Sequence, residues 1–213
     1  MKKSALIIFV TILLTTLSSH GAMACTGIPD LDRSIISQTF EGLATLLNIP
    51  DGSGSPVTEA RTADGTVVDA TIHLTIITFC NGDEPVVGFP AEDMWLESMG
   101  GGMVPCIGGT TADYATDQDG HTQWSLPLMA GGWDEGNCRV MVNGMTLGDP
   151  GGLTLNFNSP DIDGNRVVNL TDLAFFSQDY WGGYTFRSDL HRDGVINLSD
   201  VSVYAEARGK SCP

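Results

Sequence analysis

Asp189-Leu-His-Arg-Asp-Gly-Val-Ile-Asn-Leu-Ser-Asp200 nearly repeats the stretch Asp161-Ile-Asp-Gly-Asn-Arg-Val-Val-Asn-Leu-Thr-Asp172, which begins 28 residues earlier. Carboxylate or carboxamide side chains stand at positions 1, 5, 9 and 12 of both twelve-residue stretches. Apolar residues at helical spacing follow each stretch, so the pattern predicts two loop–helix units at the C-terminal end. These residues are Leu173, Phe175 and Phe176 after the first stretch, and Val201, Val203 and Tyr204 after the second.

The spacing of the oxygen-bearing side chains is typical of a calcium-binding loop. Such a loop takes ligands from positions 1, 3, 5, 7, 9 and 12; position 7 contributes its backbone carbonyl, and position 9 often acts through water. We therefore predict two Ca²⁺ ions. The candidate ligands are Asp161, Asp163, Asn165, Val167 and Asp172 in the first loop, and Asp189, His191, Asp193, Val195 and Asp200 in the second. The alternative is that both stretches are acidic turns that cap helices without a metal.

Two residues depart from the calcium-loop pattern. Arg166 occupies position 6 of the first loop, where the second loop has Gly194. A non-glycine residue at positive φ costs on the order of 1 kcal/mol, so Arg166 predicts a distorted or weaker first site. His191 at position 3 of the second loop is a poor partner for a hard cation, so we expect water to replace it or the ring to point away.

Residues 159–209 resemble a type I dockerin, through the two loop–helix repeats, asparagine at position 9 and aspartate at position 12. The resemblance implies two bound Ca²⁺ ions and docking onto a cohesin module, with recognition by positions 10 and 11 and the following helix. Those positions hold Leu170-Thr171 and Leu198-Ser199 here. They are more apolar than a pair of hydroxyls, so the partner need not be a cohesin.

The N-terminus has the features of a secretory signal peptide. Two lysines precede an uncharged run over 5–17, and the residues at 22–24 (Ala-Met-Ala) form a small-x-small cleavage signal. We predict removal of residues 1–24 and a secreted, extracellular or cell-surface location. Lipidation of Cys25 is the alternative, although Ala22 stands where a lipobox usually carries leucine.

Charge restricts the partners. Loss of the two lysines with the signal peptide leaves 8 basic and 26 acidic side chains, a net charge of −18 with histidine neutral. Such a surface repels phosphate backbones and anionic lipid, so we expect no nucleic-acid partner. No later segment is apolar for long enough to span a membrane. The negative surface attracts cations instead.

Five cysteines remain after cleavage, and an exported protein can form disulfides. The odd number leaves at least one thiol free, acylated or paired between chains. We take a Cys106–Cys138 bridge as a hypothesis, with two separate buried thiols as the alternative. The five are Cys25, Cys80, Cys106, Cys138 and Cys212.

Residues 25–157 are predicted to form an antiparallel β-sandwich. The clearest strand begins at Val68, where apolar and polar residues alternate through Ile77. Turn signals stand before it at Asp64-Gly65 and after it at 81–83. Seven or eight short strands at this spacing favour a sandwich. The other candidates cover 34–40, 44–49, 86–89, 94–97, 123–128, 139–142 and 153–157, and a short helix capped by Asp32 is the alternative for the first of these.

Three motifs in this region resemble bacterial immunoglobulin-like modules of surface proteins over about residues 60–157. They are 84–90 (Glu-Pro-Val-Val-Gly-Phe-Pro), 94–96 (Met-Trp-Leu) and 116–122 (Thr-Asp-Gln-Asp-Gly-His-Thr). Together with the C-terminal repeats, the resemblance implies a mainly β fold: an immunoglobulin-like β-sandwich followed by a small α-helical dockerin-like domain. Pro160 discourages continuation of a strand. We therefore predict domains at 25–157 and 158–213.

No catalytic group is predicted, and we expect a protein that is not an enzyme. The three histidines after the signal peptide form no legible grouping with serine and aspartate. Glu92-Asp93 and Glu97 are interpreted as a solvated acidic loop rather than glycosidase acids, since nothing marks a cleft. Trp95 and Trp124 occur in strand patterns and are interpreted as core residues.

The sequence thus predicts a non-catalytic secreted or surface protein whose C-terminal module binds calcium and docks to another protein. The partner would be a cohesin-like or other β-sandwich module, or another copy of this chain. Tyr180 and Trp181 are contact candidates. The alternative is a carbohydrate-binding component of a cellulosome-like polysaccharide-degrading complex, for which an exposed row of aromatic side chains on one sheet face would be the evidence.

Overall fold

The computed structural model describes residues 27–79, 84–147 and 152–213. The predicted signal peptide, Cys25, Cys80 and the turn at 81–83 lie outside these residues. Within the described ranges the fold is mainly β, as predicted, with two α-helices near the C-terminus. The strands are β1 Ile35–Gln38, β2 Ala44–Leu47, β3 Ala60–Arg61, β4 Val67–Val68, β5 Ile72–Thr75, β6 Met94–Ser98, β7 Met103–Pro105, β8 His121–Trp124, β9 Ala130–Gly132, β10 Cys138–Val142, β11 Met145–Leu147 and β12 Leu155–Asn158; the helices are α1 Leu170–Gly182 and α2 Leu198–Ala207. Short 3-10 turns cover Val57–Glu59, Ala91–Asp93 and Phe186–Ser188.

The strands form four sheets, with the orders β1-β5-β8, β11-β10-β6, β12-β2-β3-β4 and β7-β9. All strand pairs are antiparallel except β12 with β2, which run parallel. The expectation of a purely antiparallel arrangement is therefore wrong at this one pair. We call the described part of residues 27–158 the β-rich region.

Alternating apolar residues in and beside β5 build the main core, as the sequence predicted. The single strand predicted from Val68 through Ile77 is wrong, because the Thr71 amide donates to the Asp69 carboxylate at 2.9 Å and separates β4 from β5. The side chains of Ala70, Ile72, Leu74 and Ile76 are all fully buried, while His73 between them is half-buried on the opposite face. Trp124 on β8 is also fully buried, and its indole Nε1 donates to the carbonyl of Thr110 at 3.0 Å. The buried polar atom of this tryptophan is thereby satisfied.

The two helices bury their apolar face in a second, smaller core. Phe176 of α1 stacks on Tyr204 of α2, with ring centroids 5.9 Å apart. Leu47 and Ile49, which belong to the β-rich region, pack into the same cluster. Strand β12 ends at Asn158 and so crosses the predicted domain boundary, which remains a prediction. No helix in the described ranges is both long enough and apolar enough to cross a membrane.

Several strand predictions need correction. Residues 86–89 are not a strand: Pro85 forms only an isolated bridge to Ile77, and the chain turns at Gly88, where φ is 73°. The strand predicted over 123–128 ends at Trp124, because the Ser125 amide donates to the Asp113 carboxylate at 2.8 Å instead of joining the ladder. The sequence missed short strands such as β9, whose Ala-Gly-Gly composition carries no alternation.

The predicted Cys106–Cys138 bridge is also wrong. Cys106 is bonded to Cys212, across 106 residues of chain and with their Cα atoms 5.6 Å apart. Cys138 is a free thiol on β10, and complete burial raises its pKa to about 12. The disulfide ties the end of the chain to the loop after β7, a contact that only the tertiary fold creates.

Candidate functional site

The two predicted loops, 161–172 and 189–200, fold with the same backbone hydrogen bonds. The amides at positions 5 and 6 donate to the position 1 carboxylate, at 3.1 and 2.8 Å on Asp161 and at 3.1 and 2.9 Å on Asp189. The amides at positions 3 and 9 donate to the position 12 carboxylate, at 3.1 and 2.8 Å on Asp172 and at 2.7 and 2.7 Å on Asp200. Each loop is therefore closed by its first and last carboxylates.

Each loop leads directly into its helix. Asn169 and Asn197, at position 9, are the N-cap residues of α1 and α2, and the position 12 aspartates complete a capping box in both helices. An acidic side chain in the first turn also interacts favourably with the helix dipole. The predicted loop–helix units are confirmed, and the position 12 aspartates serve the helix as well as the loop.

Positions 4 and 6 are in the left-handed region of φ in both loops. The φ values are 69° for Gly164 and 72° for Arg166 in the first loop, and 59° for Arg192 and 80° for Gly194 in the second. Each loop therefore places one glycine and one arginine in this conformation, in opposite order. The positive φ that the sequence implied for Arg166 is present, yet the amide of Arg166 still donates to Asp161.

Three carboxylates converge in the first loop. Ligand oxygens of Asp161, Asp163 and Asp172 all lie within 4.8 Å of one another. Asp161 and Asp172 are fully buried, whereas Asp163 is exposed. No other such group of three aspartate, glutamate, histidine or cysteine side chains occurs among the residues that the structure describes.

Burial disfavours the ionised forms of Asp161 and Asp172 when no cation is bound. Desolvation is the main cause that raises the pKa of Asp161 to about 6. The charges of Asp172 and Asp163 also raise this pKa, and the hydrogen bonds from the amides of Arg166 and Asn165 oppose the rise. Desolvation likewise raises the pKa of Asp172. A divalent cation would neutralise this repulsion, and all three groups offer the oxygen ligands that Ca²⁺ prefers. The first loop therefore fits a calcium ion.

The second loop departs at position 3. Nη1 of Arg61, on β3, donates to Nε2 of His191 at 3.3 Å, because a guanidinium can only donate. The other ring nitrogen, Nδ1, lies 3.1 Å from Oδ2 of Asp193 and donates to it. Both ring nitrogens of His191 thus have hydrogen-bond partners within the protein.

The backbone carbonyls at position 7, which are predicted calcium ligands, accept hydrogen bonds within their own loops. Each carbonyl accepts from the side-chain amide of the position 9 asparagine, at 2.9 Å on Val167 and 3.4 Å on Val195. A carbonyl oxygen has two lone pairs, so one remains for a cation. Asn165 at position 5 accepts from the amide of Val167 at 3.0 Å, which fixes the turn between them.

Sequence reasoning missed a cleft on the outer face of β6. A cavity of about 530 Å³ is lined by Glu92, Trp95 and Glu97, among others. Trp95 is only half-buried, so its interpretation as a core residue is wrong. Its Nε1 donates to Glu97 at 3.0 Å, and Arg139 donates to the same carboxylate at 2.8 Å. The hydrogen bond from Trp95 and the pairing with Arg139 lower the pKa of Glu97 against the effect of burial, so this side chain is held as a carboxylate.

Two histidines that are distant in sequence meet on the outer face of β5 and β8. Nδ1 of His73 lies 3.3 Å from Nε2 of His121, and Thr39 and Tyr114 contact the outer nitrogens at 3.1 and 3.5 Å. Strand pairing places His73 beside Gln123, two residues beyond His121 on the same face. The pairing register, which the sequence did not specify, creates this contact.

Comparison with protein-family models, with curated proteins and with solved structures gives no match for this chain. The assignment of a function therefore depends on the geometry of the loops and of the surfaces around them.

Proposed function

We propose that this chain is an exported, non-catalytic protein that binds calcium through its C-terminal repeats and uses them to dock onto another protein. The repeats would act as a dockerin-like module, and the β-rich region as an immunoglobulin-like spacer or adhesive part. The observation that carries the proposal is the convergence of Asp161, Asp163 and Asp172 inside a backbone frame that the second loop repeats.

Calcium would stabilise the repeats by relieving the repulsion within the first loop. The helical core is small. The carboxylates of Asp161, Asp172 and Asp200, in the adjoining loops, are fully buried. Desolvation raises the free energy of the ionised form of each of these carboxyl groups. A cation bound by the folded chain alone stabilises it by mass action, by roughly 2.7 kcal/mol at a calcium concentration 100 times the dissociation constant.

A docking surface is favoured by exposed apolar side chains at the start and end of the helices. Leu170 and Leu198, at position 10 of the two repeats, are 67% and 75% exposed, and Trp181 at the end of α1 is 85% exposed. Position 10 of each repeat is a recognition position in the dockerins that the chain resembles, so these exposed leucines are available to contact a partner. The partner would be a cohesin-like or other β-sandwich module, or a second copy of this chain.

Calcium titration by calorimetry tests the central step. We expect saturable binding to the full chain, together with a rise in melting temperature that EDTA reverses. Asp163→Asn should weaken calcium binding. Asp119→Asn is the matched control and should not weaken it, because Asp119 is an exposed turn residue outside the repeats. A chain that binds no calcium at millimolar concentration and keeps its helical circular dichroism in EDTA would contradict the proposal.

Light scattering tests whether the partner is another copy. Growth of the particle mass on addition of calcium would support self-association. A chain that stays monomeric at high concentration in millimolar calcium would exclude it and direct the search to a different surface protein.

The cleft beside Trp95 favours carbohydrate binding as a second candidate function. An indole face supports the apolar face of a sugar ring, and the carboxylates of Glu92 and Glu97 accept hydroxyl protons. Retention on immobilised polysaccharide that Trp95→Ala abolishes would support it, with Trp181→Ala as the matched control outside the cleft. Equal retention of both variants would contradict it.

A further inference from the structure

The first calcium loop lies directly against strand β9 of the β-rich region. The amide of Gly132 donates to the carbonyl of Asp161 at 2.7 Å. A Cβ atom added to Gly131 would lie 1.8 Å from Oδ2 of Asp161, which is far inside any allowed contact. Position 131 must therefore be glycine for the Asp161 carboxylate to keep its place.

Ser159, which follows β12, and strand β7 also contact this loop. The Asp161 amide donates to Oγ of Ser159 at 3.2 Å, and this hydroxyl donates to the carbonyl of Ala130 at 3.4 Å. On the other side of the loop, a Cβ atom added to Gly164 would lie 2.8 Å from Cγ2 of Val104. The chain that enters the loop and the residue at position 4 are thus both positioned by strands.

The second loop is also attached to the β-rich region. Nδ2 of Asn158, the last residue of β12, donates to the carbonyls of Phe186 and Asp189 at 2.8 Å each. Nη2 of the buried Arg192 donates to Oγ of Ser55 at 3.2 Å, on the other side of the interface. The backbone carbonyl of the first residue in each loop therefore accepts a hydrogen bond from a strand residue.

We propose that the β-rich region forms part of the first calcium site, and that Gly131 is a positioning residue which sets the Asp161 carboxylate for the ion. This inference rests on the proposed calcium function and goes beyond it, because it makes the repeats and the strands one calcium-dependent unit rather than two independent modules. Linkage then requires the reverse effect: calcium bound in the loop restrains β9.

Substitution at Gly131 in the full chain is the direct test. Gly131→Ala should weaken calcium binding about tenfold or more in calorimetry, since the added methyl group displaces a ligand. Gly182→Ala is the matched control, because no atom lies within 4 Å of its Cβ position and neither glycine has a left-handed φ. Near-ultraviolet circular dichroism of buried Trp124 reports whether each variant keeps the fold of the β-rich region.

Hydrogen exchange on the unmodified chain gives an independent test if Gly131→Ala does not fold. The Gly132 amide, which donates to Asp161, should exchange more slowly with calcium than without it. Normal calcium binding by Gly131→Ala, or an unchanged exchange rate at Gly132 on saturation with calcium, would overturn the inference alone. Absence of calcium binding by the unmodified chain would overturn the proposed function instead, and this inference with it.

Discussion

The first loop and the second loop share their backbone conformation but differ in how their side chains are arranged. Both close through the same amide-to-carboxylate hydrogen bonds, and both place positions 4 and 6 at positive φ. Only the first loop gathers three carboxylates within 4.8 Å. In the second, Arg61 of β3 and Asp193 engage the two ring nitrogens of His191. The same loop backbone therefore does not guarantee an equivalent arrangement of side chains, because residues of neighbouring strands also hydrogen-bond to those side chains.

The sequence named one departure from the calcium-loop pattern in each loop, and the structure gives a reason to rank the two loops. Arg166 predicted a weaker first site, yet this residue adopts the required φ of 72° and its side chain is exposed. Arg166 leaves the three carboxylates of the first loop together, whereas the second loop has a histidine at position 3 where the first has a carboxylate. We therefore expect the first loop to bind calcium more tightly than the second.

The largest expected effect comes from removing the position 1 carboxylate of each loop in turn. Asp161→Asn should weaken the tighter of two binding steps by about 100-fold, because affinity in such loops follows the number of charged ligands. Asp189→Asn should change only the weaker step. Calorimetric titration of both variants separates the two steps. A larger loss of the tight step in Asp189→Asn would show that the order of the loops is the opposite.

A pH dependence is expected next. The pKa of Asp161 in the metal-free fold is about 6 instead of the ordinary 3.8, so its protonated form stabilises that fold at low pH. This contribution is lost as the pH rises through about 6. Calcium binds only the ionised carboxylate, so affinity should fall about tenfold for each pH unit below 6.

Melting temperatures measured across pH 4–7, with EDTA and with calcium, test both pH dependences. We expect stability to decrease with rising pH in EDTA, and the stabilisation by calcium to increase. In Asp161→Asn both trends should be reduced. Parallel pH profiles for this variant and the unmodified chain would assign the pH dependence to other groups.

The smallest effect is expected from restoring position 3 of the second loop. His191→Asp adds a carboxylate oxygen in place of an imidazole and should raise the calcium affinity of that loop about tenfold. His191→Asn is the control, since it removes the imidazole ring without adding charge. Calorimetry should then show two steps of similar affinity. An unchanged weak step in His191→Asp would mean that Arg61 pairs with the new carboxylate and withholds it from the ion.

Local features of the repeats could be predicted from the sequence because they depend on residues that are close together in the chain. The two loop–helix units and the positive φ of Arg166 follow from spacings of a few residues. The alternation around β5 was equally local. Short strands without alternation, such as β9 and β7, could not be recognised, because their pairing depends on partners far along the chain.

The contacts around the candidate site could not be predicted, because they join residues that are far apart in the sequence. The contact of Gly131 with Asp161, the hydrogen bond from Arg61 to His191 and the Cys106–Cys212 bond each join residues separated by 30, 130 and 106 positions. The placement of Trp95 on the outer face of β6, beside Glu97, depends on which face of the strand the core covers.

By itself, the sequence determined two acidic loops, their helices and a mainly β partner region, since hydrophobic periodicity and ligand spacing act over short stretches of chain. Only the tertiary structure decided which loop assembles three carboxylates, which residues hydrogen-bond to the ring of His191, and that β9 lies against the first loop. Those outcomes depend on packing between distant segments, where a glycine or an arginine acquires its role from what the fold places next to it.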